Sequence, residues 1–242
     1  MTSATRSNAK PLAVITGSGG ALGSDICAAL RSNGYRVAGL DLLAGEASVD
    51  AAYLVDVRAE EECHAAFAAV AEGHGKPRVL VNAAGVTARG QAQELSVQRW
   101  REVLDINLTG TFIVSQAFDR IRTATGACIV NISSIRGIHS QGGSVAYSVS
   151  KAGVLHLTKV LAREWGPRGC RVNAVAPSVL PDRGQAVDLT SDSDYVELKT
   201  SRIPLGHLAC ADDVVAAVSY LISPKAGFIN GVVLPVDGGE VA

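Results

Sequence analysis

Neither sign of charge dominates this chain. Its 22 basic and 23 acidic residues leave a net charge of −1, so no broad basic field exists to attract nucleic acid or an anionic membrane. Long apolar runs are missing too, and none approaches the length of a membrane span. The opening stretch, residues 1–10 (MTSATRSNAK), is polar and has no apolar centre like a signal peptide's. It reads as a flexible tail ahead of the first strand. The five cysteines, Cys27, Cys63, Cys128, Cys170 and Cys210, are scattered and form no C-x-x-C pair. The histidines show no metal-ligand spacing either. These absences argue against a disulfide framework and a structural metal, and describe a reduced, cytoplasmic chain. Aromatics make up only 5% of the residues, whereas hydrophobic residues reach 48% and glycines number 25. That balance suits tightly packed layers of strands and helices with a sizeable core.

Short apolar runs alternate with helical patterns along the chain. Residues 11–16 (PLAVIT), 36–41 (RVAGLD), 53–56 (YLVD), 78–82 (RVLVN), 127–132 (ACIVNI), 170–175 (CRVNAV) and 232–236 (VVLPV) read as strands. Helical patterns cover residues 21–33, about 59–72, 96–122, 145–165 and 212–221. Continuous apolar strands separated by helices imply a parallel sheet covered on both faces. The expected fold is therefore α/β: one Rossmann-type, doubly wound parallel sheet of about seven strands in a single domain over residues 11–242. No repeat or linker divides the chain. Residues 178–194 read as one long irregular stretch after a strand end, and residues 178–210 as a substrate lid.

The chemistry-bearing residues lie at the predicted strand ends. Tyr147 and Lys151, four apart, share one helix face. A lysine ammonium beside a phenol favours the phenolate and so lowers the phenol's pKa. Such a phenol can exchange a proton with an alcohol or carbonyl oxygen near neutral pH. Ser134 ends a strand nearby in sequence. The loop TGSGGALG, residues 16–23, follows the first strand and opens the first helix, where backbone N–H groups can face a pyrophosphate. Asp41 ends the second strand 24 residues beyond Gly17, the spacing expected of a ribose-binding carboxylate. It would accept from a free 2′-hydroxyl and repel a 2′-phosphate. No basic residue follows it, so NAD is expected over NADP. Each residue taken singly has a plainer explanation: a packed tyrosine, a solvated lysine, a strand-end serine. Their joint placement favours chemistry.

With these motifs in order, the chain resembles the short-chain dehydrogenase/reductase family from about Pro11 to Gly239. The resemblance rests on Thr16–Gly23, Asp56-Val57, N-A-A-G at residues 82–85 and N-L-T-G at residues 107–110. It continues through Ser134, Y-S-V-S-K at residues 147–151, Pro177 and V-D-G-G at residues 236–239. The interval of 13 between Ser134 and Tyr147 also fits. The resemblance implies that Gly17, Gly19, Gly20, Leu22 and Gly23 meet the dinucleotide phosphates. Asp56 and Val57 would flank the adenine, and Asn82, Ala83 and Gly85 would line the cofactor. Pro177 and the backbone near Leu180 would meet the nicotinamide end. The implied catalytic set is Asn107, which holds a relay water; Ser134, which binds the substrate oxygen; Tyr147, the acid/base; and Lys151, which also binds the nicotinamide ribose. Departures from the family pattern are Ala21 at the middle glycine, Ser178 where glycine usually follows Pro177, and Asp182 where threonine is usual.

The implied reaction is NAD(H)-dependent interconversion of a secondary alcohol and a ketone. An NAD-using epimerase or dehydratase, and a catalytically silent dinucleotide-binding regulatory protein, are the alternatives. Arg136, His139 and Arg89 are candidates for the substrate pocket, where guanidinium groups would suit an anion. A homotetramer or homodimer pairing through the two long helices is expected. Val149, Leu157, Val160 and Leu161 on the second of them are apolar and must divide between sheet and surface.

Overall fold

The computed structural model describes residues 10–43, 48–139, 142–181 and 192–242. Seven parallel strands form one sheet. They are β1 (Leu12–Thr16), β2 (Arg36–Asp41), β3 (Ala51–Leu54), β4 (Val79–Asn82), β5 (Ala127–Ile132), β6 (Cys170–Pro177) and β7 (Val233–Val236). Their spatial order is β3-β2-β1-β4-β5-β6-β7. The chain runs outward from β1 to β3, then returns to β4 beside β1 and proceeds the other way. Connections leaving β1 and β4 therefore diverge and open a crevice at the carboxyl ends of these strands, where Thr16 pairs with Asn82.

Helices cover both faces because the central strands are apolar on both sides. One face packs α2 (Glu60–His74), α4 (Gly110–Ile121) and α5 (Val145–Trp165) against Val14, Leu40, Leu80 and Ile129. Phe67 and Phe118 meet edge-on within it, with ring centroids 6.4 Å apart. The other face packs α1 (Ala21–Ser32) and α7 (Ala211–Ile222) against Ile15, Val37, Val81 and Val130. Two further helices, α3 (Val97–Leu104) and α6 (Ser193–Thr200), complete the set. Ser96 caps α3 by accepting from the Arg99 N–H at 3.1 Å. On α5, Leu161 enters the core, Leu157 is partly buried, and Val149 and Val160 are exposed.

Two sequence readings need correction. The third strand is Ala51–Leu54, not residues 53–56. It is an edge strand with alternating exposure, so its apolar signal is weak, and the run Val55-Asp56 belongs to the turn beyond it. The segment just after the irregular stretch, in which no helix was read, holds α6, which Asp192 caps by accepting from the Asp194 and Tyr195 N–H groups. A helix of eight residues with little amphipathic pattern leaves almost no periodic signal. Residues 182–191, with Asp182 and Asp188, lie outside the described residues, as do Gln141 and residues 1–9 of the expected tail.

Candidate active site

The crevice beside β1 begins with the glycine loop. Gly17 has φ +67°, and a Cβ there would lie 2.8 Å from the Ala84 backbone, so only glycine fits the turn. A Cβ on Gly23 would sit 2.0 Å from the Gly17 carbonyl oxygen, which sets how closely α1 approaches the loop. Gly20 is the N-cap of α1 and offers no side-chain cap, and the first turn holds no acidic residue. Among the described residues, no side chain caps the backbone donors of that turn. Thr16 Oγ1 accepts from the Ala83 and Ala84 N–H groups at 3.2 Å and ties the β4 loop to β1. The partly buried Leu22 packs into the core below.

Asp41 ends β2, and its Oδ2 accepts from the Gly19 N–H at 2.9 Å while Oδ1 accepts from Leu43. This joins the acidic end of β2 to the glycine loop across 22 residues of sequence. Leu42 and Leu43 beside it are exposed. Asp56 is bound by Arg58 at 2.6 Å, a pair that holds its carboxyl below the ordinary range. Val57 packs against Gly110, where a Cβ would come within 2.8 Å of it. Arg36, at the opposite end of β2, donates to the His74 carbonyl.

Asn82 belongs to the sheet's polar interior rather than to an open surface. Its Nδ2 donates to Ser115 Oγ at 3.0 Å and to Asn131 Oδ1 at 2.8 Å, and Asn131 continues to Thr158. Pro177 ends β6 opposite Val236, and the Leu180 side chain is buried in the core.

The sequence-predicted catalytic residues converge. Asn107 lies in a π-helical turn, Asp105–Thr109, between α3 and α4. Such turns widen a helix and re-aim a side chain. Asn107 is fully buried, with Oδ1 accepting from the Val86 N–H and Nδ2 donating to the Val86 carbonyl and to Ser150 Oγ. Ser150 in turn donates to the Tyr147 carbonyl at 2.8 Å. Asn107 thereby clamps the loop after β4 to the second turn of α5. Sequence reasoning passed over this link through Ser150, although the serine stands beside Lys151 in Y-S-V-S-K.

Ser134 caps a short 3₁₀ turn, Ile135–Gly137, with Oγ accepting from the Arg136 N–H at 3.2 Å. Gly137 lets that turn press on α5, where a Cβ would meet the Lys151 carbonyl carbon at 2.7 Å. Ser133 Oγ donates to the Lys151 carbonyl at 2.9 Å and locks β5 to α5. Lys151 is buried, its Nζ donating to the Ile132 carbonyl at 2.9 Å and lying 5.7 Å from the Tyr147 ring centroid. A Cβ on the exposed Gly85 would come within 3.4 Å of Nζ, so the glycine keeps a space open before the lysine.

The expected lowering of the Tyr147 pKa by Lys151 needs correction. Burial raises the phenol above its ordinary 10, and the pull downward comes from the Ser134 hydroxyl and the Arg136 charge. Burial also lowers Lys151, from 10.5 to about 8. Its ammonium donates to the β5 carbonyl and stands 5.7 Å from the ring centroid, while Ser134 and then Arg136 lead the downward pull on the phenol. Arg136 is partly exposed, whereas His139 and Arg89 are exposed.

The lowered pKa of Lys151 makes stability depend on pH. Below pH 8 the lysine is charged in both folded and unfolded chains, so the folded state carries the full burial penalty. Between about pH 8 and 10.5 only the unfolded chain keeps the proton, and stability rises with pH. Lys151→Met should therefore stabilise the protein by about 2 kcal/mol at neutral pH: about 1.4 kcal/mol per pKa unit, less about 1 kcal/mol for the lost hydrogen bond. The gain should shrink as pH climbs past 8. Urea unfolding of both proteins at neutral and alkaline pH checks this.

Comparison with known proteins agrees with this geometry. A family model described as enoyl-(acyl carrier protein) reductase matches residues 20–240. D-threitol dehydrogenase of Mycolicibacterium smegmatis is 37% identical over 241 residues, covering 94% of this chain and 92% of the relative. Galactitol 2-dehydrogenase (L-tagatose-forming) of Cereibacter sphaeroides is 35% identical over 239 residues, covering 94% and 93%. A short-chain dehydrogenase from Leptospira borgpetersenii, solved with bound NAD+, superposes with a TM-score of 0.87 at 28% identity, covering 96% of this chain and 93% of that one. The chain belongs to the short-chain dehydrogenase/reductase family. It is an oxidoreductase that interconverts secondary alcohols and ketones, and the family binds a nicotinamide dinucleotide.

Among the described residues, no helix is long and apolar enough to cross a membrane. No group of three or more metal-ligating side chains occurs among them either.

Proposed function

We propose that the protein is an NAD(H)-dependent dehydrogenase of a polyhydroxylated secondary alcohol, with Tyr147 as the acid/base. The observation that carries this reading is the convergence of Ser134 and Tyr147 at the carboxyl end of β5, beside the open glycine loop. The polyol class is suggested by the relatives named for threitol and galactitol.

The residues present fit a dinucleotide. The uncapped first turn of α1, with Gly17, Gly19, Gly20 and Gly23 before and within it, would receive the phosphates. Asp41 would accept from the adenosine ribose in place of the Gly19 N–H. Val57, Ala83 and Gly85 would line the path, and Lys151 would meet the nicotinamide ribose, with Pro177 and the Leu180 backbone at the far end. The dinucleotide supplies the hydride acceptor when bound.

In oxidation, Tyr147 Oη takes the proton of the substrate hydroxyl. Ser134 Oγ holds that oxygen and stabilises charge developing on it. Lys151, with its pKa near 8, can pass a proton between the phenol and water at working pH. Asn107 is a positioning residue, because its amide is engaged with Val86 and Ser150. The same groups run in reverse for reduction.

NAD is preferred on the ground that the Asp41 carboxylate at the end of β2 would accept from a free 2′-hydroxyl and repel a 2′-phosphate, and that no lysine or arginine follows it in the sequence up to residue 57. Replacing Asp41 by Ser together with Leu42→Arg should shift the ratio of kcat/KM for NADP over NAD by about 10- to 100-fold, the worth of one charge-assisted hydrogen bond. Steady-state kinetics with the two cofactors measures it. An oligomer built through α4 and α5, where Phe112 and Val149 are exposed, a lid including α6 and a cytoplasmic location belong to the same proposal. The function is tested by following reduced cofactor at its absorbance band with tetritols, hexitols, their phosphates, the corresponding hydroxy acids and simple secondary alcohols. Cofactor binding without turnover of any of them would overturn it.

A further inference from the structure

Arg136 is a charged side chain of the site that the mechanism leaves unused. It follows Ser134 by two residues, and its N–H is held by the Ser134 hydroxyl oxygen, so its backbone position is fixed to the group that would hold the substrate oxygen. Behind it, Gly137 presses on the Lys151 carbonyl and fixes the turn against α5. The Arg136 Nη1 is buried and has no hydrogen-bond partner. No ion pair of this guanidinium occurs among the described residues, whereas the buried Arg122 is met by Asp119 at 2.7 Å.

A buried guanidinium nitrogen without a partner is costly, about 1–3 kcal/mol or more. Cores satisfy such donors or replace them with apolar groups. A donor kept unpaired beside a substrate-binding hydroxyl is poised for an acceptor that arrives with the substrate. The Arg136 charge pulls the Tyr147 phenol downward against its burial, in keeping with a position at the site.

From this geometry we infer that Arg136 is a specificity residue that binds an oxyanion on the substrate, making the preferred substrate a hydroxy acid or a phosphorylated polyol rather than a neutral one. The inference rests on the oxidoreductase reading above and narrows its substrate class. The dinucleotide's own phosphates have separate donors at the glycine loop and the start of α1. A guanidinium forms paired hydrogen bonds with a planar carboxylate or with a phosphate, and both ligands present the same oxygen pair.

The test compares three alcohols of equal carbon number: a neutral polyol, the corresponding hydroxy acid and the polyol phosphate. The wild type should turn over one of the charged substrates at least about 10-fold more efficiently than the polyol, and which one it favours identifies the anion. Arg136→Met should lower kcat/KM for that substrate by about 10- to 150-fold, mostly through KM, the equivalent of about 1.5–3 kcal/mol. The neutral polyol should lose less, so the selectivity collapses, and Arg136→Lys should restore part of it. A wild type that prefers the neutral polyol, or an Arg136→Met loss equal for all three, overturns the inference.

Calorimetric titration of the hydroxy acid and the phosphate into the protein supplies an independent readout, with binding expected in the wild type and lost in Arg136→Met. Loss of binding on substitution with no turnover of any alcohol would leave the anion site standing and overturn the oxidoreductase reading. Turnover of the polyol alone, with no binding of either anion, would do the reverse.

Discussion

Tyr147→Phe is expected to lower kcat by about 10²- to 10⁴-fold, the range that a positioned general acid or base supplies. The substitution removes one oxygen and keeps the ring in place, so the packing of α5 against β5 and β6 should be unchanged. KM for the cofactor should stay close to that of the wild type, because the glycine loop and Asp41 are remote from the phenol in sequence and belong to other strands. The pH profile should separate chemistry from packing. Burial holds the phenol above its ordinary value, and only Ser134 and Arg136 oppose it. At neutral pH the phenolate is the minority form, so kcat/KM for alcohol oxidation should climb as pH rises toward the alkaline range. Ketone reduction, which needs the protonated phenol, should fall over the same range. Tyr147→Phe should flatten both limbs. A variant that retained the wild-type slope would place the titrating group elsewhere, with Lys151 and its pKa near 8 the first alternative.

The second large effect is on stability and comes from a cluster at the far end of the site. Lys199 on α6 forms an ion pair with Glu240, and both side chains are buried, 6% and 3% exposed. Glu240 also accepts from Ser178 Oγ at 2.6 Å. Three segments thus meet at one carboxylate: the end of β6, the helix after residues 182–191, and the C-terminal turn after β7. Removing one partner of a buried pair leaves an uncompensated charge and costs about 3–5 kcal/mol. Glu240→Gln and Lys199→Met should each lower Tm by about 6–20 °C, at about 2–4 °C per kcal/mol for a chain of this size. The double substitution should recover much of the loss, since it removes both charges together. Thermal unfolding of the four proteins decides the matter, and simple additivity of the two losses would show that the residues are not coupled. Ser178→Gly, which returns this position to the usual family residue, should cost less because the ion pair remains.

That cluster also marks the limit of what the sequence could show. Strands β1, β4, β5 and β6 were legible because they are buried on both faces and read as short, mostly apolar runs interrupted only by single polar residues. The helices beside them carried clear periodicity and recognisable ends. The edge strand β3 was misplaced by two residues, because an edge has one exposed face and the apolar signal drifts into the turn. Helix α6 was missed for lack of length and pattern.

At the site, Ser134, Tyr147 and Lys151 were visible from spacing and motif order, and the structure brings all three together with Asn107. Their electrostatics were not visible. Spacing placed an ammonium beside a phenol, and the Ile132 carbonyl that also engages Nζ comes from β5, a separate element. Ser178 appeared in the sequence only as a departure from the family pattern. Its partner Glu240 stands 62 residues away and is itself paired with Lys199, and nothing in local sequence connects the three.

The most direct test of the central claim is isotope transfer from a secondary alcohol labelled with deuterium on its carbinol carbon. With NAD and the wild-type enzyme, the deuterium should appear in the reduced nicotinamide and in neither water nor the ketone product. The rate should fall by a primary isotope effect whenever hydride transfer limits turnover. Tyr147→Phe should transfer the label along the same route at its much lower rate. Retention of the label in an inverted or dehydrated product, with no net reduced cofactor, would contradict the account and favour an epimerase or dehydratase using the same residues.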